Sequence, residues 1–186
     1  MTSQRIKKGD LLIAEPSIIG DINFNRAVIL LADHNVTGSI GFILNKQLNY
    51  TLKDLIQNTE SDFTVYNGGP VEQDNLYFVH NKPELIPESI EISNGIYWGG
   101  DFEIALSLVN SHNITEQDIR FFLGYSGWDA KQLKEELLGN SWLVSPNIYE
   151  NNLLEHCDSG IWKQKMLELD DNYSIWSNAP EHPSYN

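Results

Sequence analysis

"AVILLADHNVTGSIGFILNK", residues 27–46, is the stretch that decides the fold class. Two apolar runs of strand length, residues 27–33 and 39–46, flank the turn-like segment "HNVTG". Short apolar runs bounded by turn residues are typical of buried strands. The pattern therefore predicts a buried antiparallel pair of strands.

Further strands are predicted on both sides of this pair. "DLLIAEP" reads as a short strand ended by Pro16, "FTVYNGGP" and "NLYFVH" as two strands around a glycine turn, and "SWLVSP" as a later strand. "SIEISNGIYWGG" predicts a hairpin, because Asn94 and Gly95 can take the positive φ angles of a type I′ turn. Strands that follow one another without helices favour a mixed, mostly antiparallel sheet over a doubly wound parallel one.

Helices are predicted between and after these strands, which makes the class α+β, a sheet flanked by helices. Thr51 and Asp54 stand at capping-box spacing, Asp101 can cap a helix that begins at Phe102, and residues 159–169 form an amphipathic pattern. The length fits one domain over residues 1–186. The tail, residues 170–186, keeps aromatic side chains, and we expect it to lie on the body of the domain.

"FFLGYSGWDAKQLKEELLG", residues 121–139, raises the question of a catalytic serine. A nucleophile elbow needs glycine at position 128, where this chain has Trp128. The alternative is structural: a strand over residues 119–124, a sharp glycine turn, and a helix over residues 129–138 with Ser126 and Asp129 as its capping box. The helix would end at Gly139 and bury one apolar face, formed by Ala130, Leu133 and Leu137. We expect no catalytic residue here.

Charge and cysteine content argue against several functions. The 186-residue chain has 26 acidic and 12 basic residues, for a net charge of −14. Without a basic stripe it is not expected to bind nucleic acid directly or to associate with a membrane. The one cysteine, Cys157, permits no internal disulfide and reads as a structural thiol. The histidines have no ligand spacing, so we expect no metal. The chain also has no phosphate-binding loop motif, and we expect no cofactor. The polar start of the chain predicts a cytoplasmic location.

Three turns combine aromatic residues with glycine, and they suggest a ligand groove. Glycines at a strand end or helix start let a ligand approach backbone N–H groups, which suits a small anion. If the turns meet at one end of the sheet, they would line a shared site; the alternative is that the glycines only make turns. The candidate residues are Tyr66, Asn67, Gly68, Gly69, Trp98, Gly99, Gly100, Tyr125, Ser126, Gly127 and Trp128.

In order and spacing, several motifs resemble those of the YqgE/AlgH family of small bacterial proteins. They are "GDLLIAEP", "FNRAVILLADH", "GSIGFILNK", "YNGGPV", "YWGGD", "FLGYSGWDAKQLKEEL" and "SWLV". The resemblance implies an α+β fold with a bifurcated sheet rolled into an incomplete barrel. Members have been labelled transcriptional regulators, with no catalytic activity or cofactor established, and they commonly have alanine where this chain has Ser126. The residues that match the family motifs, with no chemical role implied, are Arg26, Asn45, Gly68, Gly69, Pro70, Gly124, Tyr125, Gly127 and Trp128.

Three functions follow from these observations, in decreasing order of support. The first is a non-enzymatic cytoplasmic protein that acts in regulation by binding a protein or a small anionic ligand. The second is a direct DNA-binding transcriptional regulator, favoured by the label of the family and opposed by the charge of −14. The third is an enzyme of unknown reaction. The oligomeric state is left open.

Overall fold

The computed structural model describes residues 5–18, 20–169, 173 and 178. Within these residues, ten strands form one sheet, and five α-helices and two short 3-10 helices accompany it. The strands are β1 (Leu11–Ala14), β2 (Val28–Asn35), β3 (Gly38–Ile43), β4 (Gln47–Thr51), β5 (Thr64–Asn67), β6 (Val71–His80), β7 (Ile90–Ser93), β8 (Ile96–Trp98), β9 (Ile119–Asp129) and β10 (Trp142–Ser145). The helices are α1 (Leu52–Leu55), α2 (Phe102–Asn110), α3 (Gln132–Leu138), α4 (Leu153–His156) and α5 (Ile161–Leu169).

The strand pairs read from the sequence are confirmed. β2 and β3 pair antiparallel, and every residue from Val28 to Ala32 is completely buried. β7 and β8 form the predicted hairpin, in which Asn94 has φ 50° and Gly95 has φ 81°. All described pairs are antiparallel except β5 with β9. The mixed, mostly antiparallel sheet and the α+β class therefore hold.

The sheet divides at β9. The first half of β9 pairs in parallel with β5, through Phe121, Phe122 and Leu123. Its second half, from Ser126 to Asp129, pairs instead with β3. Gly124 lies between the two halves with φ +69°, a conformation that favours glycine. β9 thus belongs to two branches of the sheet, which is the bifurcation that the family resemblance implied.

The sheet curls without closing into a barrel. Its main path runs β10-β1-β2-β3-β9-β6-β8-β7, so β10 and β7 are the two ends. The N-terminal segment approaches the β7 end, where the Lys8 ammonium donates to the carbonyl oxygen of Glu91 at 2.7 Å. No strand pairing joins β7 to β1 or β10 among the described residues. The architecture is an incomplete barrel.

Two apolar clusters fill the two faces of the branched region. Consecutive side chains of a strand point to opposite faces, so Phe121 and Phe122 enter different clusters. The larger cluster contains side chains of β1, β2 and β3 and extends to α5 through Trp162 and Met166. The smaller one includes Leu52 of α1 and Val109 of α2. Burial on both faces fixes the position of β9 in the middle of the domain.

The segment after Gly124 differs from its prediction. β9 continues as a strand through Asp129, so no sharp turn follows Gly124 and Ser126 is not a helix cap. Helix α3 begins at Gln132 instead of residue 129, and Lys131 occupies its N-cap position. Ala130 is consequently exposed, while Leu133 is buried as predicted. Pairing with β3 overrides the local glycine signal, because each residue from Ser126 to Asp129 gains a strand partner.

The predicted caps of α1 and α2 are present. Thr51 and Asp54 form the predicted capping box of α1, and the Asp101 side chain accepts from the Ile104 N–H at 3.0 Å. Gly139 is the C-cap of α3. In the tail, Tyr173 packs against the larger cluster, and the rest of that prediction lies outside the described residues except for Asn178, which accepts from Lys163. None of the described helices is long and apolar enough to cross a membrane.

Candidate functional site

The branch point of the sheet is joined by hydrogen bonds to Gly68. The Gly68 N–H donates to the Leu123 carbonyl oxygen at 2.9 Å, and the Gly68 carbonyl oxygen accepts from the Ile43 N–H at 3.1 Å. The Ser126 hydroxyl donates to the same carbonyl oxygen at 3.1 Å. Ser126 has no exposed surface. Its hydroxyl therefore holds the branches of the sheet together and is not placed to attack a substrate.

Close backbone approach explains the glycines around this point. A Cβ atom on Gly68 would overlap the carbonyl oxygen of Gly124, and one on Gly69 would overlap the backbone of Tyr125. Gly69 also has φ +149°, in the region that favours glycine. The structure thus brings "YNGG" and "GYSGW" into direct contact, as the groove hypothesis expected, but their glycines meet each other instead of an open cavity.

The third turn, "YWGG", lies further along the sheet. Trp98 pairs with Val79 of β6, and Val79 pairs with Arg120 of β9, at the opposite end of β9 from Ser126. Among the described aromatic rings, Trp98 contacts that of Phe42, with centroids 5.9 Å apart. Gly100 packs beside Ile86, whereas the Cα of Gly99 faces open space. Gly99 and Gly100 therefore do not adjoin the other two turns.

An open groove of about 490 Å³ lies next to the branch point, between the β2–β3 hairpin and the end of β9. We call it the acidic groove, because it contains two carboxylates and none of its lining residues is Lys or Arg. Its lining includes Tyr125, Gly127 and Trp128 of the predicted ligand groove, together with residues that were not predicted as part of a site. Its lining is Asp33, Asn35, Thr37, Gly38, Ser39, Ile40, Val71, Tyr125, Gly127, Trp128, Asp129 and Gln132.

The carboxylate of Glu136 fixes the position of Trp128. Glu136 Oε2 accepts from the indole N–H of Trp128 at 2.8 Å and from that of Trp142 at 2.7 Å. Its other oxygen accepts from the side-chain amide of Gln132 at 3.0 Å. The two indole rings meet edge to face with centroids 6.1 Å apart. One side chain of α3 thereby ties together the ends of β9 and β10 below the groove.

Tyr125 is held on the other side of the groove by a second tyrosine. Its ring meets that of Tyr77 edge to face with centroids 5.6 Å apart. The Tyr77 hydroxyl donates to the carboxylate of Glu72, and Asn75 donates to the same oxygen at 3.0 Å. These bonds lower the pKa of Glu72, while burial and then the bond to Glu72 raise the pKa of Tyr77. Glu72 stays ionised and adds negative charge near Tyr125.

The two charges of the groove come from positions that local sequence patterns do not connect. Asp33 lies on β2, where its carboxylate accepts from the His34 N–H at 3.0 Å and from the Asn35 side chain at 2.9 Å. Asp129 ends β9, directly opposite Gly38 of β3. Pairing of β3 with β9 brings the two together, and that pairing joins residues about 90 positions apart. The strand pattern of residues 39–46 was the available signal, but it does not identify the partner strand.

Cys157 and Tyr66 are packed in the larger apolar cluster. Cys157 is buried, and desolvation raises the pKa of its thiol to about 12, so the thiolate needed for nucleophilic chemistry is not formed near neutral pH. Tyr66 is 8% exposed and packs against Phe122, with ring centroids 6.2 Å apart. Among the described residues, no group of three or more His, Cys, Asp or Glu side chains is arranged to hold a metal ion.

These features define a class of small α+β proteins with a divided, incompletely closed sheet. Comparison with known proteins identifies the family. The DUF179 family model, described as AlgH-like, matches residues 11–174, and the chain belongs to this family. A UPF0301 protein of Bacteroides thetaiotaomicron is 41% identical over 182 residues, which cover 96% of this chain and 91% of the relative. A UPF0301 protein of Chlorobaculum parvum is 36% identical, covering 98% of this chain and 97% of the relative.

Two solved structures share the fold. The solution structure of the AlgH protein from Pseudomonas aeruginosa matches with a TM-score of 0.72 and 24% identity, covering 98% of this chain and 100% of that one. A crystal structure of a protein from Corynebacterium diphtheriae matches with a TM-score of 0.71 and 21% identity, covering 96% of this chain and 95% of that one. At these identities the two structures support the fold alone.

Proposed function

We propose that the chain is a non-enzymatic cytoplasmic protein that acts in regulation by binding a positively charged segment of a partner protein in the acidic groove. The observation that carries the proposal is the pairing of two carboxylates, Asp33 and Asp129, with aromatic side chains in a groove whose lining has no Lys or Arg. The regulatory part follows the label that members of the family have been given.

The chemistry of the groove favours a Lys or Arg side chain of the partner. A cation gains from carboxylates across a polar rim and from the face of an aromatic ring such as Tyr125. The net charge of −14 attracts the same partners over a longer distance. An anion would meet repulsion from Asp33 and Asp129, so the lining favours a cation over the small anion that the glycine turns suggested.

A titration of the full chain, followed by backbone amide NMR signals, tests this proposal. The probes are short peptides that contain Arg or Lys and matched peptides in which citrulline or norleucine replaces the charged residue. We expect the charged peptides to shift the amides of residues 33–40 and 125–132, with an affinity that falls as salt rises. Shifts that are equal for charged and neutral peptides, or that lie outside these two segments, would contradict it.

A pair of matched variants separates the groove from the general charge of the surface. Asp129→Asn removes one carboxylate of the acidic groove. The side chain of Asp129 makes no hydrogen bond with any described residue, and only its backbone N–H bonds to Gln132. Glu103→Gln removes one charge from an exposed position of α2 that does not line the groove. We expect Asp129→Asn to weaken peptide binding by about two- to five-fold and Glu103→Gln to leave it unchanged. Equal effects of the two variants would mean that only net charge matters.

A further inference from the structure

Arg120 is a buried cation in the middle of the domain. It belongs to β9 and is 8% exposed. Its Nη1 atom donates to the carbonyl oxygens of Leu44 and Cys157, each at 2.7 Å, and its Nη2 atom donates to that of Leu154 at 3.0 Å. The N–H group on Nε takes no part in these three bonds. The guanidinium therefore keeps donor capacity after it joins β9 to the residue that follows β3 and to the region of α4.

The charge of Arg120 has no carboxylate partner. Within the described parts of the chain, no Asp or Glu oxygen lies within 4.0 Å of its nitrogen atoms. The carbonyl dipoles offset part of the cost of burying the charge, as does the ring of Tyr66, whose centroid is 4.2 Å from the Arg120 Cζ. Buried charges in proteins are usually paired. A buried guanidinium without an anion is suited to receive one from a ligand.

A cavity of about 220 Å³ has Arg120 in its lining. Arg120 and Tyr66 line it, together with the polar side chains of Gln47 and Gln117. The Gln47 amide donates to the Tyr66 hydroxyl at 3.1 Å, which fixes one polar wall. The volume equals roughly seven molecules of liquid water at about 30 Å³ each. The space suits a small metabolite.

Two carboxylates lie in the lining of the same cavity. Glu116 accepts from the Thr64 N–H at 2.7 Å through one oxygen. Glu155 is exposed, and its carboxylate has no hydrogen bond or ion pair with any described residue. The lining of the cavity therefore contains a buried cation, Arg120, and two more exposed anions, Glu116 and Glu155. A simple anion would be attracted by Arg120 and repelled by Glu116 and Glu155, whereas a ligand with both charges would satisfy both ends.

We propose that this cavity binds a small zwitterion of the α-amino acid class. The carboxylate of the ligand takes the free donor side of Arg120, a group whose planar N–H pattern matches a carboxylate. The ammonium group of the ligand faces Glu116 and Glu155. The amide side chains of Gln47 and Gln117 supply polar contacts for the remainder of the ligand. This site shares no lining residue with the acidic groove and does not depend on the function proposed for it.

Titration of the full chain with the common L-amino acids, added one at a time, tests the proposal by backbone amide NMR. We expect at least one amino acid to give saturable shifts at residues 64–66, 116–120 and 154–155, with a dissociation constant of about 1 mM or lower. Propionate carries only the carboxylate and propylamine only the ammonium group, and each should bind at least about ten-fold more weakly. The absence of saturable shifts, or equal binding of propionate, would overturn the proposal.

Variants of the carboxylates keep the test independent of folding. Glu155→Gln should weaken amino acid binding by about two- to five-fold, and Glu116→Gln should do the same while it keeps an acceptor for the Thr64 N–H. The matched control Glu103→Gln should leave the affinity unchanged. Arg120→Lys should weaken binding by at least about ten-fold, since lysine lacks the planar donor pattern. Unchanged affinity in Glu155→Gln and Glu116→Gln would exclude the ammonium subsite and overturn the zwitterion assignment.

Discussion

The hydroxyl of Ser126 donates to the carbonyl oxygen of Gly68 at 3.1 Å, at the point where β9 leaves one branch of the sheet and joins the other. The two residues are 58 positions apart in the chain. The same carbonyl oxygen accepts the Ile43 N–H, so one backbone group connects β3, β9 and the end of β5. The "YNGG" and "GYSGW" motifs are therefore two halves of one structural junction.

Ser126→Ala should lower the free energy of unfolding by about 0.5–1.5 kcal/mol and leave the fold intact. The cost is modest because the Gly68 carbonyl oxygen keeps its bond from the Ile43 N–H. Urea denaturation of the two proteins measures the difference, with Ser107→Ala on exposed α2 as a control. We also expect no labelling of the wild type by a fluorophosphonate probe. Labelling that disappears in Ser126→Ala would instead support a catalytic serine.

Gly68→Ala should destabilise the protein by about 3 kcal/mol or more, since overpacking against backbone leaves little room for relaxation. Its Cβ would overlap the carbonyl oxygen of Gly124, which is held in β9. Gly99→Ala is the matched variant, because a Cβ there meets no atom within 4 Å and only the positive φ of 66° opposes it. That variant should cost about 1–2 kcal/mol. Equal thermal stabilities for the two variants would show that close approach at the junction is unimportant.

Sequence patterns predicted the parts of the fold that depend on neighbouring residues. The apolar runs of β2 and β3, the Asn94-Gly95 turn and the Asp101 cap are local signals, and all three hold. The predicted end of β9 at Gly124 was wrong, because a distant strand and not the neighbouring residues decides where β9 ends. Gly124 and Gly127 read locally as a turn, but β3 supplies strand partners as far as Asp129. A distant partner strand decided the outcome, and local propensity carries no information about it.

The candidate site was predictable to a similar extent. Contact between "YNGG" and "GYSGW" was expected from their positions at strand ends. Tyr125, Gly127 and Trp128 line the acidic groove, and ligand binding by these residues stays a prediction. The carboxylate of Asp33 and the guanidinium of Arg120 were not singled out. Each is one charged residue in or beside an apolar strand. Arg120 donates to carbonyl oxygens of segments tens of residues away, and Asp33 of β2 shares its groove with Asp129 at the end of β9. Only the assembled sheet shows which charges remain unpaired.

Glu136→Leu should lower the free energy of unfolding by about 2–4 kcal/mol, because two indole N–H groups would lose their acceptor. Trp128 and Trp142 are 6% and 4% exposed, so water cannot fully replace the carboxylate. Urea denaturation followed by tryptophan fluorescence reports both the stability and the environment of these rings. Glu135→Leu changes the exposed neighbour on the same helix and should have little effect. Similar losses for the two variants would contradict the role given to Glu136.

His80 is a buried neutral histidine whose hydrogen bonds fix its tautomer. The Lys82 N–H donates to its Nδ1 atom at 3.2 Å, so the ring proton lies on Nε2, which donates to the Gly99 carbonyl oxygen at 3.1 Å. The ring also stacks on that of Tyr97, with centroids 6.0 Å apart. Desolvation by burial lowers the pKa of His80 below its ordinary value of 6.5, even though the bond to Gly99 acts in the opposite direction.

Acidification should therefore destabilise the protein through His80. The unfolded chain takes up a proton at this residue near pH 6.5, while the folded chain does so only at a lower pH. The contribution of His80 to the free energy of unfolding has its full value above pH 6.5. This contribution declines as the pH falls through 6.5 toward the lower pKa of the folded state. Urea denaturation at pH 7.5, about 6 and about 5 measures the decline, which should be smaller in His80→Gln. His112→Asn, which alters an exposed histidine, should keep the wild-type dependence on pH, and an identical dependence in His80→Gln would contradict the assignment.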